Sequence, residues 1–299
     1  MTWPRRWPHP GLVFVVLAWG LNFSVIRESY KSFSPEAVAV LRWAGMVPWM
    51  YFLAKLAKQD LSMDKATKWK VWFAGFLSSG VYMAVFVAGM ANTSATQGSI
   101  ALATAPIWIT WFAMGLRQEA FRWSAVFGPL VAFSGVVLVI SKAGPGQGTI
   151  QGTALCLLSA VIWAASVVYL RPILKEQPAL KVMTVSLPAA GLAVVPYGMA
   201  GVLRVDWVHV TPLGWACMAY LVLVAGSLAF VAYYKTIEDL GPARAGIAQF
   251  LVPPTAMVIE SCVHWRLPVW TQVVGVGVVL VGVWLSTRTR RPEPVTCAT

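Results

Sequence analysis

Charged residues, histidine and cysteine are all scarce in this 299-residue sequence. Only 11% of the residues are charged, whereas soluble domains carry about 25%, and 58% are hydrophobic. This composition excludes an ordinary soluble enzyme, a disordered chain and a nucleic-acid-binding module. The three histidines and four cysteines are scattered, without metal-ligand spacing or a C-x-x-C pair. We therefore predict no metal site and no cofactor.

Long polar segments are also missing, and apolar runs follow one another along the chain. Each run has about the 20 residues that a helix needs to cross the hydrocarbon core. Alternation with a period of two residues is absent, which disfavours transmembrane strands. We predict an all-α integral membrane protein, embedded in the lipid bilayer, with ten transmembrane helices. They cover residues 11–29, 35–54, 71–91, 97–116, 122–141, 152–171, 180–203, 212–235, 243–263 and 267–287.

Basic residues are unevenly distributed between the predicted loops. When the N terminus and every second loop are placed on one side, that side carries 17 of the 23 Lys and Arg residues. The other side carries 5, and Arg42 lies within a span. Because basic residues flank spans on the cytoplasmic side, we predict that both termini are cytoplasmic. The first run follows Arg5 and Arg6, but no small-residue cleavage site comes after it, so we expect a retained helix rather than a signal peptide.

The two halves of the sequence resemble each other, which predicts two five-helix repeats at residues 1–146 and 147–299. Repeats with an odd number of spans insert in opposite orientations, so they form an inverted pair related by an axis in the membrane plane. Such a pair is suited to alternating access around a substrate site near the midplane. The matching positions include Trp19 and Trp163 (offset 144), Pro106 and Pro254 (offset 148), and Gly135 and Gly282 (offset 147).

Aromatic and polar side chains lie deep in several predicted spans. Trp is usually found at the membrane interfaces, yet Trp19 and Trp163 are mid-span repeat counterparts. We expect them on facing sides of a central cavity that binds a flat or apolar small molecule. For the aromatic candidates the alternative role is helix packing, and for the polar ones it is an interhelical hydrogen bond. The candidate substrate-binding residues are Trp19, Asn22, Ser79, Tyr82, Thr104, Trp108, Trp163, Ser166 and Gln249.

Residues three positions apart share a helix face, and this spacing links several candidates. Asn22 follows Trp19 by three positions and Ser166 follows Trp163 by three. The same spacing predicts that Ser79 and Tyr82 share a face.

Prolines interrupt corresponding spans of the two halves. Pro106 lies in the fourth predicted span, and Pro253 and Pro254 lie in the ninth. Proline removes a backbone donor and bends a helix, and paired interruptions indicate a binding site or a hinge in a transporter. A static kink that only shapes packing is the alternative.

Arg42 and Glu260 are the clearest charges inside predicted spans. Their estimated depths below the same membrane surface are similar, which suggests an ion pair. The pair is a candidate outer gate, and Arg42 is also a candidate receptor for a substrate carboxylate. The alternatives are a static ion pair or side chains that extend to the interface.

Four short motifs carry a family resemblance. They are Leu-Ala-Trp-Gly-Leu-Asn-Phe at 17–23, Ala-Val-Leu-Arg-Trp at 39–43, Ala-Thr-Ala-Pro at 103–106 and Leu-Val-Pro-Pro at 251–254. With ten spans and a duplication, the chain resembles the drug/metabolite transporter superfamily in its ten-helix EamA-type form. It is similar to bacterial aromatic amino-acid exporters. The family often has a Gly-Glu pair after helices 4 and 9; Glu119 fits the first position, whereas Arg266 occupies the second.

The resemblance implies an inner-membrane exporter of small metabolites, most of all amino acids, with aromatic ones favoured. A multidrug or other metabolite carrier is the alternative within transport. An integral-membrane enzyme would require clustered Asp, His or Glu at one face, which the sequence does not offer. A channel or scaffold fits the paired helix breaks less well, and the lack of a Walker-type loop disfavours an ATP-driven pump. The substrate, the transport direction, proton coupling and the oligomeric state stay open, and a monomer is compatible with the sequence.

Overall fold

The computed structural model describes residues 9–92, 101–140, 149–264 and 270–287 of the chain, and these residues are almost entirely helical. No strand occurs within these ranges, so the predicted all-α membrane fold is confirmed. The first repeat contains α1 (Pro10–Ser29), α2 (Pro35–Leu56), α3 (Lys65–Ala91), α4 (Ala105–Gly115) and α5 (Trp123–Ile140). The second contains α6 (Ile150–Glu176), α7 (Ala179–Leu203), α8 (Pro212–Leu240), α9 (Pro242–Ile247 continued by Val252–His264) and α10 (Trp270–Thr287).

Helix lengths match a membrane protein. Five described helices, α2, α3, α6, α7 and α8, are long and apolar enough to cross a bilayer. Shorter apolar stretches lie in α1, α5 and α10. A membrane helix satisfies its backbone polar groups internally, which explains why apolar runs of this length adopt helices.

Polar side chains mark where several helices begin. Each of these side chains accepts a hydrogen bond from a backbone N–H in the first turn, which has no partner within the helix. The capping residues are Ser34 before α2, Asp64 before α3, Thr149 before α6 and Thr211 before α8. The hydrogen bonds from Thr67 hold the pKa of the exposed Asp64 carboxyl below its usual value.

Helix packing follows the internal duplication. Three helices of the first repeat pack against their own counterparts: α2 against α7, α4 against α9 and α5 against α10. In addition, α1 packs against α8 and α9, and the equivalent helix α6 packs against α3 and α4. If each helix is replaced by its counterpart in the other repeat, the same set of helix pairs results. This is expected for an inverted pair related by a two-fold axis.

Small residues allow the last helices of the two repeats to approach closely. A Cβ atom on Gly135 of α5 would meet the backbone nitrogen of Val279 on α10. A Cβ atom on Gly282 of α10 would meet the backbone of Ala132 on α5. Small interface residues of this kind permit tight helix packing in membranes, and here they are repeat counterparts.

Three helices contain irregular segments and a turn precedes a fourth, again in equivalent pairs. The π-helical segments are Phe76–Val81 in α3 and Leu221–Leu228 in its counterpart α8. The 3-10 segment Ala248–Leu251 divides α9, and a turn at residues 103–104 precedes its counterpart α4. Such departures from α-helical hydrogen bonding are frequent at functional sites.

Candidate functional site

The irregular helices surround a cavity of about 100 Å³ at the interface of the two repeats. The cavity is predominantly apolar, with a few polar groups, as is typical of small-molecule sites. Its walls come from α1, α2, α3, α6, α8, α9 and the segment before α4. The lining residues are Trp19, Asn22, Ile26, Arg42, Tyr82, Met83, Phe86, Leu102, Ala103, Trp163, Phe230, Gln249, Val252 and Pro253.

An aromatic cluster forms one wall of the cavity. The rings of Trp19 and Trp163 meet edge to face, with centroids 6.1 Å apart. Phe230 lies 5.5 Å from each of these two rings, and Tyr82 lies 5.3 Å from Trp163. Tyr233 lies beneath them, 5.2 Å from Trp19 and 5.7 Å from Trp163. This aromatic cluster offers ring faces and edges to a flat apolar group.

The π-helical segments help to orient the cluster. Trp19 Nε1 donates a hydrogen bond of 3.2 Å to the carbonyl oxygen of Ala225, within the π-helical segment of α8. Ser78, in the π-helical segment of α3, pairs through Oγ with Tyr234 Oη at 3.1 Å. These bonds use groups in the irregular segments, so the same segments that interrupt the helices also fix the aromatic side chains.

Two polar side chains in the cavity wall have unused hydrogen-bonding atoms. Asn22 Oδ1 and Arg42 Nε are buried and have no hydrogen-bond partner among the described residues. Gln249, also in the wall, lies within reach of the Tyr233 hydroxyl group beneath the aromatic cluster. Buried polar atoms are nearly always satisfied, so unsatisfied atoms around one cavity indicate a place for a polar ligand or water.

The structure brings together several of the residues that the sequence proposes. Trp19, Asn22, Tyr82, Trp163 and Gln249 all line the cavity. Arg42 and Pro253 line it as well. Trp19 and Trp163 therefore face each other across the repeats, as predicted. Substrate binding by these residues stays a prediction.

Other proposed residues lie outside the cavity lining. Thr104 Oγ1 accepts a 3.2 Å hydrogen bond from Trp108 Nε1 and donates one of 2.6 Å to the carbonyl oxygen of Ala101. Ser166 is fully buried and donates to the carbonyl oxygen of Trp163, one turn back on α6. Ser79 lines a smaller neighbouring cavity of about 10 Å³, whose lining also includes Arg42 and Met83, and the face that it is expected to share with Tyr82 stays a prediction. Both residues lie next to or within a π-helical segment, where the spacing of three no longer defines a face.

The prolines occupy the first turns of helices rather than helix interiors. Pro106 is the second residue of α4, after the turn at 103–104. Pro253 and Pro254 are the second and third residues of the segment Val252–His264. A first-turn proline lacks an N–H that would have no partner anyway, so each proline starts a new helical segment after a break.

The proposed pair of Arg42 and Glu260 is only half described. Arg42 is buried, with 6% of its surface exposed, and lines the cavity. Glu260 lies on the described helix segment Val252–His264, but its side chain lies outside the described part of the structure. The ion pair therefore stays a prediction.

The sequence reasoning did not identify Phe230 or Tyr233, although both contribute to the aromatic cluster. Phe230 could have been found, because the offset of 148 residues that relates Pro106 to Pro254 also relates Tyr82 to Phe230. No such signal marks Tyr233. It faces the cluster because the wider turns of the π-helical segment Leu221–Leu228 rotate the following residues of α8 relative to a regular α-helix.

The cavity lies toward one end of the helix bundle. We name the two ends by their loops: the loop-30 end contains residues 30–34 and 204–211, and the loop-57 end contains residues 57–64, 116–122 and 177–178. From the middle of α1, the lining continues through Asn22 and Ile26 toward the loop-30 end. In the opposite direction, the buried side chains of Tyr233, Tyr234 and Ile237 close the bundle.

An ion pair between different helices lies at the loop-57 end. Arg171, near the end of α6, contacts Glu119, which follows α4, at 2.8 Å. Both side chains are less than one-fifth exposed. Gln118 adds a 3.0 Å hydrogen bond to the carbonyl oxygen of Val168 on α6. These contacts join the adjacent ends of α4 and α6. In the described ranges, no group of three His, Cys, Asp or Glu residues is arranged to hold a metal ion.

Comparisons with known proteins agree with this architecture. The chain is 24% identical to an uncharacterized transporter of Archaeoglobus fulgidus, over 93% of this chain and 98% of that protein. It is 22% identical to a probable terminal-alkyne amino-acid exporter of Streptantibioticus cattleyicolor, over 93% and 92%. It is also 22% identical to a probable amino-acid metabolite efflux pump of Salmonella typhimurium, over 92% of each chain.

A solved crystal structure shares the fold, with a TM-score of 0.78 at 17% sequence identity. The match covers 93% of this chain and 96% of the other. The EamA-like transporter family matches this sequence twice, at residues 7–141 and 150–288, one match for each repeat. The protein therefore belongs to the EamA-like transporter family.

Proposed function

We propose that this membrane transporter exports amino acids, with aromatic amino acids favoured, across the bacterial inner membrane. The substrate binds in the cavity between the repeats, among Trp19, Asn22, Tyr82, Trp163 and Gln249. Transport proceeds by alternating access, as the two inverted repeats exchange conformations and expose the cavity to opposite sides of the membrane.

The aromatic cluster is the observation that carries this proposal. Four rings from α1, α3, α6 and α8 converge on the cavity, so a substrate between them contacts both repeats. Aromatic pairs favour edge-to-face and offset geometries, which adds to the apolar contact area of a bound ring. The names of the exporter and the efflux pump among the relatives support an amino-acid substrate.

The distribution of basic residues supports a cytoplasmic loop-57 end. This end contains the basic segment 55–70, with five of the 17 basic residues counted for that side. Positive residues are retained on the cytoplasmic side during insertion. With this orientation, both termini are cytoplasmic and the cavity occupies the outer half of the bundle. The described conformation is then closed toward the cytoplasm.

A carrier for drugs or other metabolites is the second candidate. It is favoured by the lining itself, because only Asn22, Arg42 and Gln249 among the lining residues have strongly polar side chains. An enzyme is disfavoured, since the family match and the relatives point to transport. Competition by a panel of amphipathic drugs against labelled phenylalanine separates the two transport candidates.

The test is counterflow in proteoliposomes that contain the purified protein. Vesicles preloaded with unlabelled phenylalanine are expected to accumulate labelled phenylalanine in a saturable manner. The same experiment with and without a pH gradient distinguishes a facilitator from a proton antiporter. Folded protein that exchanges no amino acid under either condition would contradict the amino-acid proposal.

A matched pair of tryptophan substitutions tests the aromatic cluster. Trp163→Leu is expected to lower the counterflow rate about tenfold or more, because it removes ring contacts with the substrate. Trp111, which is 39% exposed and lies outside the cavity lining, serves as the control. Trp111→Leu is expected to change the rate less than about twofold. Equal losses in both variants, at equal amounts of folded protein, would contradict a binding role for Trp163.

A further inference from the structure

Arg42 carries a positive charge deep in the cavity wall. It lies seven residues after the start of α2, about 10 Å along the helix, and is 6% exposed. Its Nε atom has no hydrogen-bond acceptor among the described residues. Gly226 leaves room for the guanidinium, because a Cβ atom there would lie 3.0 Å from Nε. Burial of an ion without compensation is costly, so an anionic partner stabilises this side chain.

The described surroundings of Arg42 are phenolic rather than acidic. The ionisable side chains near its guanidinium group are Tyr30, Tyr82 and Tyr220. Each is an uncharged phenol at neutral pH. The ion pairs within the described part of the chain do not involve Arg42. Tyr220 Oη donates a 2.8 Å hydrogen bond to the carbonyl oxygen of Ala18. Tyr82 lines the cavity together with Arg42, and its phenol and the unused guanidinium N–H form an environment that accepts a small anion.

A second unsatisfied group complements this charge. Asn22 Oδ1 is a hydrogen-bond acceptor without a described partner, and it lines the same cavity as Arg42. The aromatic cluster lies along the same wall. The cavity thus combines a cation, a free acceptor and ring faces, which match the carboxylate, the ammonium group and the side chain of an aromatic α-amino acid.

We propose that Arg42 binds the carboxylate of the substrate and that Asn22 accepts a hydrogen bond from its ammonium group. The proposal rests on the transport function above and is an alternative to the predicted role of Arg42 as a gate residue paired with Glu260. The two roles differ in one measurable respect. A gate acts on every substrate alike, whereas a carboxylate receptor matters only for ligands that have a carboxylate.

The experiment varies the ligand and the protein together. Isothermal titration of purified protein compares phenylalanine with phenylalaninamide, in which an uncharged amide replaces the carboxylate. The wild type is expected to bind phenylalanine about 10- to 100-fold more tightly, the range for hydrogen bonds to a charged group. In Arg42→Gln this preference disappears, and phenylalaninamide binds within about threefold of its wild-type affinity.

Control variants separate binding from folding. Lys181 is another buried cation, 8% exposed, outside the cavity lining; Lys181→Gln is expected to keep the full preference for phenylalanine. Arg42→Lys keeps the charge and is expected to retain part of the preference, which provides a measurement if Arg42→Gln does not fold. A variant at position 42 that weakens both ligands equally, or keeps the wild-type preference in the glutamine form, overturns the proposal.

Failure of the transport proposal gives a different pattern. Wild-type protein that binds neither ligand excludes phenylalanine as a substrate. Indole-3-acetate and indole-3-acetamide then replace the pair, since they differ in the same group but lack the ammonium. A preference for the acid that is lost in Arg42→Gln supports carboxylate binding by Arg42, whereas wild-type protein that binds neither indole compound overturns it.

Discussion

The two ends of the helix bundle differ in how charged residues connect the helices. At the loop-57 end, Arg171 and Glu119 join α6 to the segment after α4, and His9 before α1 contacts Asp239 of α8 at 3.4 Å. At the loop-30 end, the described ion pairs are Lys31–Glu28 and His209–Asp206, each between residues three positions apart. Only the first kind constrains how separate helices move. The conformation closed at the loop-57 end is therefore stabilised by contacts that have no described equivalent at the other end.

The duplication sharpens this comparison. At the offset of 144, Arg171 corresponds to Arg27, and at the offset of 147, Glu119 corresponds to Arg266. The positions that form an ion pair at one end are thus occupied by two arginines in the other half of the inverted repeat. Like charges repel where opposite charges attract. We expect closure of the loop-30 end to lack the stabilisation that closure of the loop-57 end receives.

The largest effect is expected from Gly241→Ala, which disturbs the closed end. Gly241 has φ 85° and ψ 161°, a conformation that is essentially restricted to glycine. A Cβ atom there would lie 2.5 Å from Glu119 Oε1 and 3.0 Å from Arg171. The backbone strain alone is worth about 1–3 kcal/mol, and the ion pair is displaced as well. Thermal unfolding in detergent measures the loss of stability.

Gly115→Ala is the control for this prediction. Gly115 lies at the end of α4, and a Cβ atom there would meet no other atom within 4 Å. We expect its unfolding temperature to equal or slightly exceed that of the wild type, because alanine favours helix over glycine. A Gly241→Ala protein as stable as Gly115→Ala would contradict the assigned role of the glycine.

The next effect is expected from removal of the ion pair itself. Glu119→Gln leaves the partly buried Arg171 without its counter-charge and lowers the stability of the closed end by about 1–2 kcal/mol. The quantity measured is the rate at which a maleimide labels the variant Ile237→Cys. Ile237 is 1% exposed in the described conformation. In a background without native cysteines, Ile237→Cys is expected to react about 5- to 30-fold faster with a maleimide.

Two variants make this measurement specific. Exchange of the charges in Glu119→Arg with Arg171→Glu is expected to restore slow labelling. Glu28→Gln removes the exposed pair with Lys31 at the loop-30 end and is expected to leave labelling unchanged, since exposed pairs contribute little. Faster labelling in both Glu119→Gln and Glu28→Gln would show that the two ends do not differ in the proposed way.

The smallest effect is expected from a substitution that adds opposite charges to the loop-30 end. Arg266→Glu places a carboxylate at the repeat counterpart of Glu119, opposite in sign to Arg27, the repeat counterpart of Arg171. Surface ion pairs are worth about 0.2–1 kcal/mol, and a gain of this size should increase labelling at position 237 about 1.5- to 5-fold. Arg266→Gln, which only removes the charge, should give a smaller increase. The opposite order would contradict the comparison of the two ends.

Much of the fold could be predicted because its signals are local. Each span is a continuous apolar run, and the packing of α5 on α10 follows Gly135 and Gly282, which the duplication already relates. The convergence of Trp19 and Trp163 also follows from duplication, since inverted counterparts near an axis meet each other. The predicted spans differ from the helices at their ends: α3 begins at Lys65 rather than at residue 71.

The details of the site depend on helix geometry that periodicity does not reveal. An α-helical spacing predicts Ser79 beside Tyr82, but Ser79 lies in the π-helical segment Phe76–Val81 and lines the smaller neighbouring cavity instead of the main one. The same effect in α8 brings Tyr233 under the aromatic cluster without any sequence signal. Ser166 bonds to the carbonyl oxygen of Trp163 on its own helix, a local bond that serine hydroxyls often make.

One measurement tests the central claim that the cavity binds substrate from the outer side while the loop-57 end is closed. Met83, in the cavity wall, is replaced in the variant Met83→Cys, in a background without native cysteines. Right-side-out and inside-out vesicles that contain this variant are treated with a membrane-impermeant maleimide. We predict fast labelling only in right-side-out vesicles, slowed by phenylalanine in a concentration-dependent manner. Labelling only in inside-out vesicles, or labelling that phenylalanine does not slow, would contradict the account.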